Sequence, residues 1–215
     1  MKEYHGLAKQ YIKTGAFFKN YIRKPLLWIS IAFFCIVVCS SLIFYYYGDT
    51  AVSIMLDFMG NAQQSGVVDA EGNISPVMLF ANNVRASTLG WVLGLIPFCF
   101  LSVWPLVVNG SMLGIVLGFL GESRKLSFWG AMRVMLVGIL PHGIFEIPAM
   151  LLSFAMGVVL CGQLNQKFRK KPLVMPIDEM IGETARFYLL WIVPMLAIGA
   201  VIETYITPLL LQGVL

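Results

Sequence analysis

Long apolar runs alternate with short polar segments along this chain, and the runs have the length of membrane spans. A helix rising 1.5 Å per residue needs roughly 20 apolar residues to cross about 30 Å of hydrocarbon. Pro25 to Tyr47 meets that length once, and Pro76 to Leu120 meets it twice, with Pro105 and the pair Asn109-Gly110 marking the expected break. Ala131 to Gly162 is a further apolar stretch interrupted by Pro141, and Phe187 to Leu211 is the last. The pattern predicts an all-α, polytopic transmembrane helical bundle of about five spans, near residues 25–47, 78–104, 105–121, 140–162 and 187–211, in a single domain over 25–215. A re-entrant pair of half-helices between Gly90 and Gly121 is the competing layout, since non-helical backbone at membrane depth is tolerated where protein or water surrounds it.

Ahead of the first run, over residues 1–24, Tyr4, Leu7, Ala8, Tyr11, Phe18, Tyr21 and Ile22 recur at helical spacing while Lys2, Lys9 and Lys13 fall on another face. This predicts an amphipathic helix in the membrane interface. Charge then sets the orientation. Lys2, Lys9, Lys13, Lys19, Arg23 and Lys24 precede the first span, and Lys167, Arg169, Lys170, Lys171 and Arg186 precede the last. The positive-inside bias puts both clusters, and hence the N-terminus and the loop 163–186, in the cytoplasm of a multi-pass cell-membrane protein. The loop 48–77 carries Asp49, Asp57, Asp69 and Glu71 with no Lys or Arg and is expected outside, with Ala51 to Met59 as a short helix on the outer surface. Arg124, Lys125 and Arg133 run against the bias. A cleaved signal peptide is excluded by the length of the first run and by the lack of a small-x-small site after it.

Composition agrees: 59% of the 215 residues are hydrophobic and 12% charged, against the 45–50% apolar content of soluble domains. The net charge of +4 belongs to two clusters flanking spans, so nucleic acid is not an expected partner. Cys35, Cys39, Cys99 and Cys161 have neither disulfide nor metal spacing.

Against this apolar background, polar residues carry the information, because an ionisable group among lipid must face a bundle interior, a partner or water. The candidates are Asn82, Asn83 and Arg85 in the second span, Asn109 at the break, His142 and Glu146 after Pro141, and Glu203 with Thr204 and Thr207 in the last span. Proline suits a first helical turn, so Pro141 is expected to open a helix, with His142 and Glu146 one turn apart on one face. Three readings stay open. The pair forms a buried hydrogen-bonded link between helices, or relays protons or ions to Glu203, or supplies two ligands of a metal hydrolase that lacks a third ligand and the HExxH spacing. Glu203 itself sits either at the outer interface or opposite Arg85 or His142. Small residues recur at close-packing intervals, Gly90 with Gly94, Gly114 with Gly118 and Ser153 with Gly157, and support a compact bundle or a homodimer.

The ordered set Asn82-Asn83, Gly90 to Gly94, Asn109-Gly110 with Leu113-Gly114, Pro141-His142-Gly143 with Glu146 and Pro148-Ala149, then Ile202-Glu203 and Thr207-Pro208 closely resembles the stage II sporulation protein M family, from about Phe80 to Pro208. The resemblance implies a polytopic helical membrane protein without established catalytic activity. It further implies, from the namesake in spore-forming bacteria, the membrane component of a complex with peptidoglycan-degrading partners. Relatives occur in organisms that form no spores, so the likeness does not fix a sporulation role. The family's motif residues fall on Asn83, Asn109, Gly110, Pro141, His142, Gly143, Glu146, Glu203 and Pro208. The expectation is a noncatalytic scaffold, without cofactor or metal, whose partners are the lipid bilayer and membrane or wall-active proteins. The rival expectation is a path for an ion or small solute past His142, Glu146, Glu203 and the asparagines.

Overall fold

The computed structural model describes residues 6–69, 71, 73–98 and 101–213. The tail residues Lys2, Glu3 and Tyr4, and Cys99, lie outside the described residues. The chain is all-α, with α1 (Leu7–Phe17), α2 (Arg23–Tyr46), α3 (Gly48–Gln64), α4 (Pro76–Val92), α5 (Trp104–Ser123), α6 (Phe128–Phe168), α7 (Ile177–Phe187), α8 (Val193–Tyr205) and α9 (Thr207–Gln212). Among the described residues four continuous helical stretches are long and apolar enough to cross a membrane: Ala8–Tyr46, Leu101–Ser123, Phe128–Phe168 and Ile177–Gln212. The second expected span is shorter. Its helix α4 has 17 residues, about 26 Å, extended by a 3-10 turn at Leu93–Leu95.

The passes alternate between two ends. At one end the Tyr45 hydroxyl donates to the Leu126 carbonyl (3.3 Å), joining α2 to the α5–α6 turn. At the other, the Phe98 N–H donates to Asn165 Oδ1 (2.6 Å), joining the α4–α5 connection to the foot of α6. The second end holds both basic clusters. The break between α4 and α5 lies there, at Ile96 to Phe98, and not at Pro105. Proline at 97 disfavours the helical region for its predecessor, and Ile96 is extended (φ −93°, ψ 109°). Pro105 instead occupies the first turn of α5, where its missing N–H is not needed. Pro141 also departs from expectation. Helix α6 runs 41 residues through both Pro141 and Pro148, so Pro141 opens nothing.

Helix α6 is the axis of the bundle. Phe154, Ala155 and Met156 are fully buried and share one apolar cluster with Leu106 of α5 and Ile192 and Leu196 of the last span. Close approach of the helices follows from glycine. A Cβ on Gly118 would stand 2.2 Å from the Phe44 carbonyl oxygen, and one on Gly114 2.4 Å from the Ser40 backbone, so α5 lies backbone to backbone on α2. Gly110 extends this seam against Ile36 and Phe33. Gly90 and Gly94 face Phe154 and Gly157 of α6 in the same manner. All three small-residue pairs are thus used in contacts within the chain. Helix α3 does not merely lie on the surface: Ala51 and Met55 are buried against Ile115 of α5.

The N-terminal amphipathic segment does not separate from the first span. It passes through one π-helical turn, Phe18–Ile22, straight into α2. The last span is built the same way, with an 11-residue amphipathic helix α7, a π turn at Tyr188–Ile192 and then α8. The two segments keep step residue for residue: Thr14 with Thr184, Phe17 with Phe187, Phe18 with Tyr188, Tyr21 with Trp191, Ile22 with Ile192. Both threonines are fully buried, and each donates its hydroxyl to the carbonyl three residues back. This is an internal repeat of the parallel kind. Its copies meet directly: Trp191 Nε1 donates to Thr14 Oγ1 (3.0 Å), Phe18 stacks on Phe187 at 6.2 Å, and Lys13 pairs with Glu183 at 2.5 Å.

Substituting Gly118→Val forces overpacking against Phe44 and should lower stability by about 1–3 kcal/mol in detergent unfolding, whereas Gly162→Ala, whose Cβ meets nothing within 4 Å, should be neutral or stabilising. Glu183 precedes the apolar part of the last span. Burial alone would raise its carboxyl, but hydrogen bonds from Lys13 and Arg186 outweigh this and hold it below the usual carboxylate range. Its contribution is therefore complete at neutral pH and is lost as the pH falls below the ordinary carboxylate range and through the lowered folded-state pKa. Hydrogen exchange should show α1 losing protection on acidification, and Glu183→Gln should reproduce that loss at pH 7.

Candidate functional site

His142 and Glu146, one helical turn apart on α6, face α8 and the start of α9. His142 Nδ1 lies 3.3 Å from Thr207 Oγ1, and its Nε2 lies 3.7 Å from Glu203 Oε2. Glu146 Oε1 accepts a 2.8 Å hydrogen bond from Asn83 Nδ2 of α4. Two helices, α6 and α8, thus bring His142, Glu146 and Glu203 together, with one donor atom from each lying within 4.8 Å of the others. The sequence left Glu203 either at the outer interface or opposite Arg85 or His142; the structure sets it beside His142.

The local sequence explains the fit. Gly199, one turn before Glu203 on α8, has no side chain where the Glu146 carboxylate stands; a Cβ there would be 2.3 Å from Glu146 Cγ. Gly199 was not among the expected site residues, and its signal was a glycine one turn from an intramembrane carboxylate. Gly143 is buried between Ile139 and Ile147 of its own helix. Pro208 opens α9 and so places Thr207 under the imidazole.

A cavity of about 170 Å³ adjoins the cluster, with Asn83, Ser87, Asn109, His142 and Glu146 as its polar lining and Phe33, Leu113 and Leu196 among its apolar walls. Phe33 belongs to the middle of the first apolar run, which sets this cavity at mid-depth in the bundle. Asn109 reaches it but ties its own Nδ2 to the Pro105 carbonyl (2.8 Å), making no bond to the cluster. A wider cleft of about 580 Å³ contains His142, Glu203 and Thr207 and extends to Met59, Ile74 and Arg124 at the end away from the basic clusters. His142 lines both spaces.

Arg85 is a correction. It is exposed on α4, lines neither space, and pairs with neither Glu203 nor Glu146 among the described residues. Polar links that sequence reading missed run between the helices near the cluster: Ser87 with Ser153 (2.7 Å) and Thr88 with Tyr188 (2.8 Å). Hydroxyls in amphipathic or small-residue stretches gave no distinguishing signal.

Chemically, an imidazole and two carboxylates in one polar pocket can share protons or hold a cation. The Asn83 bond orients Glu146 for either. Removing it leaves a half-buried carboxylate without its donor, so Asn83→Ala should cost roughly 1–3 kcal/mol in detergent unfolding, and far less when Glu146→Ala is already present, a coupling that a double-mutant cycle reads directly.

The profile of the Stage II sporulation protein M family matches residues 30–208. An uncharacterized protein of the archaeon Methanocaldococcus jannaschii is 30% identical over 133 residues, covering 60% of this chain and 69% of its own length. No solved structure matches the chain. The match includes every residue of the intramembrane cluster, and the chain belongs to the Stage II sporulation protein M family.

Proposed function

We propose that this protein is a noncatalytic membrane scaffold that docks and localises peptidoglycan-remodelling partners, with its N-terminus in the cytoplasm and its acidic end outside. Family membership supplies the prior. The observation that carries the reading is the ordered character of the acidic end. The connection from α3 to α4 closes on a bridge between Val68 and Ile74. The Asp69 carboxylate accepts from the N–H groups of Glu71 (3.0 Å) and Asn73 (2.7 Å) and from Asn73 Nδ2 (3.0 Å). Ser75 then caps α4 by accepting from the Met78 N–H. Beside this turn, Leu56, Phe58 and Met59 of α3 are exposed. A structured surface combining apolar and acidic side chains suits a protein partner better than it suits lipid. A photo-crosslinker at Phe58 or Glu71 should capture a wall hydrolase in cells, and replacing 67–74 with a Gly-Ser linker should abolish both capture and biological activity. A variant so replaced that keeps full activity removes the scaffold reading.

A cavity and a cleft that both have His142 in their walls favour a second reading, the passage of an ion or small solute past His142, Glu146 and Glu203. Its test is flux into proteoliposomes, compared between the wild type and Glu146→Gln. Equal absence of flux in both eliminates it.

A further inference from the structure

We infer that His142, Glu146 and Glu203 form a binding site for one divalent transition-metal ion of the Zn²⁺ type. The inference does not depend on the docking or transport readings, since a metal here serves either.

Charge is the first argument. Glu146 and Glu203 stand close together in the interior of a membrane bundle, and among the described residues neither has a Lys or Arg partner. Arg124 lines only the far mouth of the cleft. Two carboxylates and a neutral imidazole carry two negative charges, which a divalent ion cancels within the site. An uncompensated pair in this setting is strongly disfavoured.

Donor type is the second. One imidazole nitrogen with two carboxylate oxygens matches borderline divalent ions, whereas Mg²⁺ prefers oxygen alone and gives up water reluctantly. The order of intrinsic affinities places Zn²⁺ above Mn²⁺ at such a site. Three protein ligands with a fourth position open is also the usual arrangement of a zinc site accessible to water.

The surroundings are the third. Ligating residues in known sites are held by further hydrogen bonds, and both kinds are present here: Asn83 Nδ2 on Glu146 Oε1 at 2.8 Å and Thr207 Oγ1 at His142 Nδ1 at 3.3 Å. The threonine engages Nδ1 and leaves Nε2, the nitrogen nearer Glu203, for the ion. Gly199 supplies the space that Glu146 occupies, and the cleft reaching His142 from Arg124 and Ile74 supplies an entry path. Donors sharing one ion at about 2.1 Å stand roughly 3–3.5 Å apart. The three atoms here lie within 4.8 Å of one another, so side-chain movement of at most about 1.3–1.8 Å closes the set.

The test uses the full chain, purified in detergent, stripped with chelator and titrated with ZnCl₂, MnCl₂ or MgCl₂. The wild type should take up one equivalent of Zn²⁺, bind Mn²⁺ more weakly and ignore Mg²⁺. Glu203→Gln and His142→Ala should bind Zn²⁺ at least tenfold more weakly, and Asn83→Ala should weaken it about 10- to 100-fold through Glu146. His5→Ala, which removes the other histidine of the sequence, should leave binding unchanged. X-ray absorption on the zinc-loaded wild type needs no variant to fold, and should show a nitrogen and oxygen shell with one imidazole. Failure of the wild type to bind, equal binding by the His142→Ala and Glu203→Gln variants, or a shell containing sulfur or no imidazole overturns the site.

Discussion

Hydrocarbon offers no hydrogen bonds, so every polar group carried into it must find a partner on the chain itself or line a space that water or a ligand can enter. In this protein that constraint fixes where the helices meet. The core of the bundle is not uniformly apolar: it is crossed by Asn83 to Glu146, His142 to Thr207, Ser87 to Ser153 and Tyr188 to Thr88. Those links join α4, α6 and the last span into one unit, while α2, α3 and α5 form a second group held by glycine seams and by packing. Close backbone packing dominates the second group, where the Ser40 hydroxyl also donates to the Gly110 carbonyl (3.3 Å), and side-chain hydrogen bonds between helices are more frequent in the first. The candidate cluster lies in the first group, where Asn83, His142, Glu146, Glu203 and Thr207 come together.

The parallel repeat adds a second constraint, at the basic end. Each copy enters the membrane through an amphipathic helix and a π turn, and the turn re-aims the span so that Ile22 and Ile192 both become fully buried. Meeting of the copies places Thr14 against Trp191 and Lys13 against Glu183, so side chains of the two segments tie α1 to the last span at the basic end.

How far the sequence carried this picture depended on the kind of signal. Length and hydropathy made the spans readable, and the rarity of charge in them made His142, Glu146 and Glu203 conspicuous. Prolines misled, since the same residue opens, breaks or merely interrupts a helix according to what packs around it. Pro97 breaks the chain because Ile96 becomes extended; Pro105 only begins α5; Pro141 sits inside α6, where the surrounding helices hold the backbone in place. Arg85 misled for another reason: its depth is legible in one dimension, but the face it occupies is set by how α4 turns its Ser87 and Gly90 side toward α6. Gly199 stands one turn from Glu203, but its role is the absence of a side chain opposite a residue 53 positions earlier in the chain, Glu146, and that pairing is not legible from spacing.

The two ends of the bundle are therefore unequal, and the inequality bears on the cluster. From the basic end the path inward meets Phe17, Phe187, Ile192 and Leu196, all buried and apolar. From the acidic end the cleft between α3, α5, α6 and α9 leads past Ile139 to His142 and Glu203. The cleft opens His142 and Glu203 toward the acidic side, the same side on which the Asp69 turn and the exposed face of α3 stand. A partner seated on that surface would sit over the mouth of the cleft. Occupancy of the cluster and occupancy of the outer surface would then be coupled through Met59 and Ile74, which belong to both.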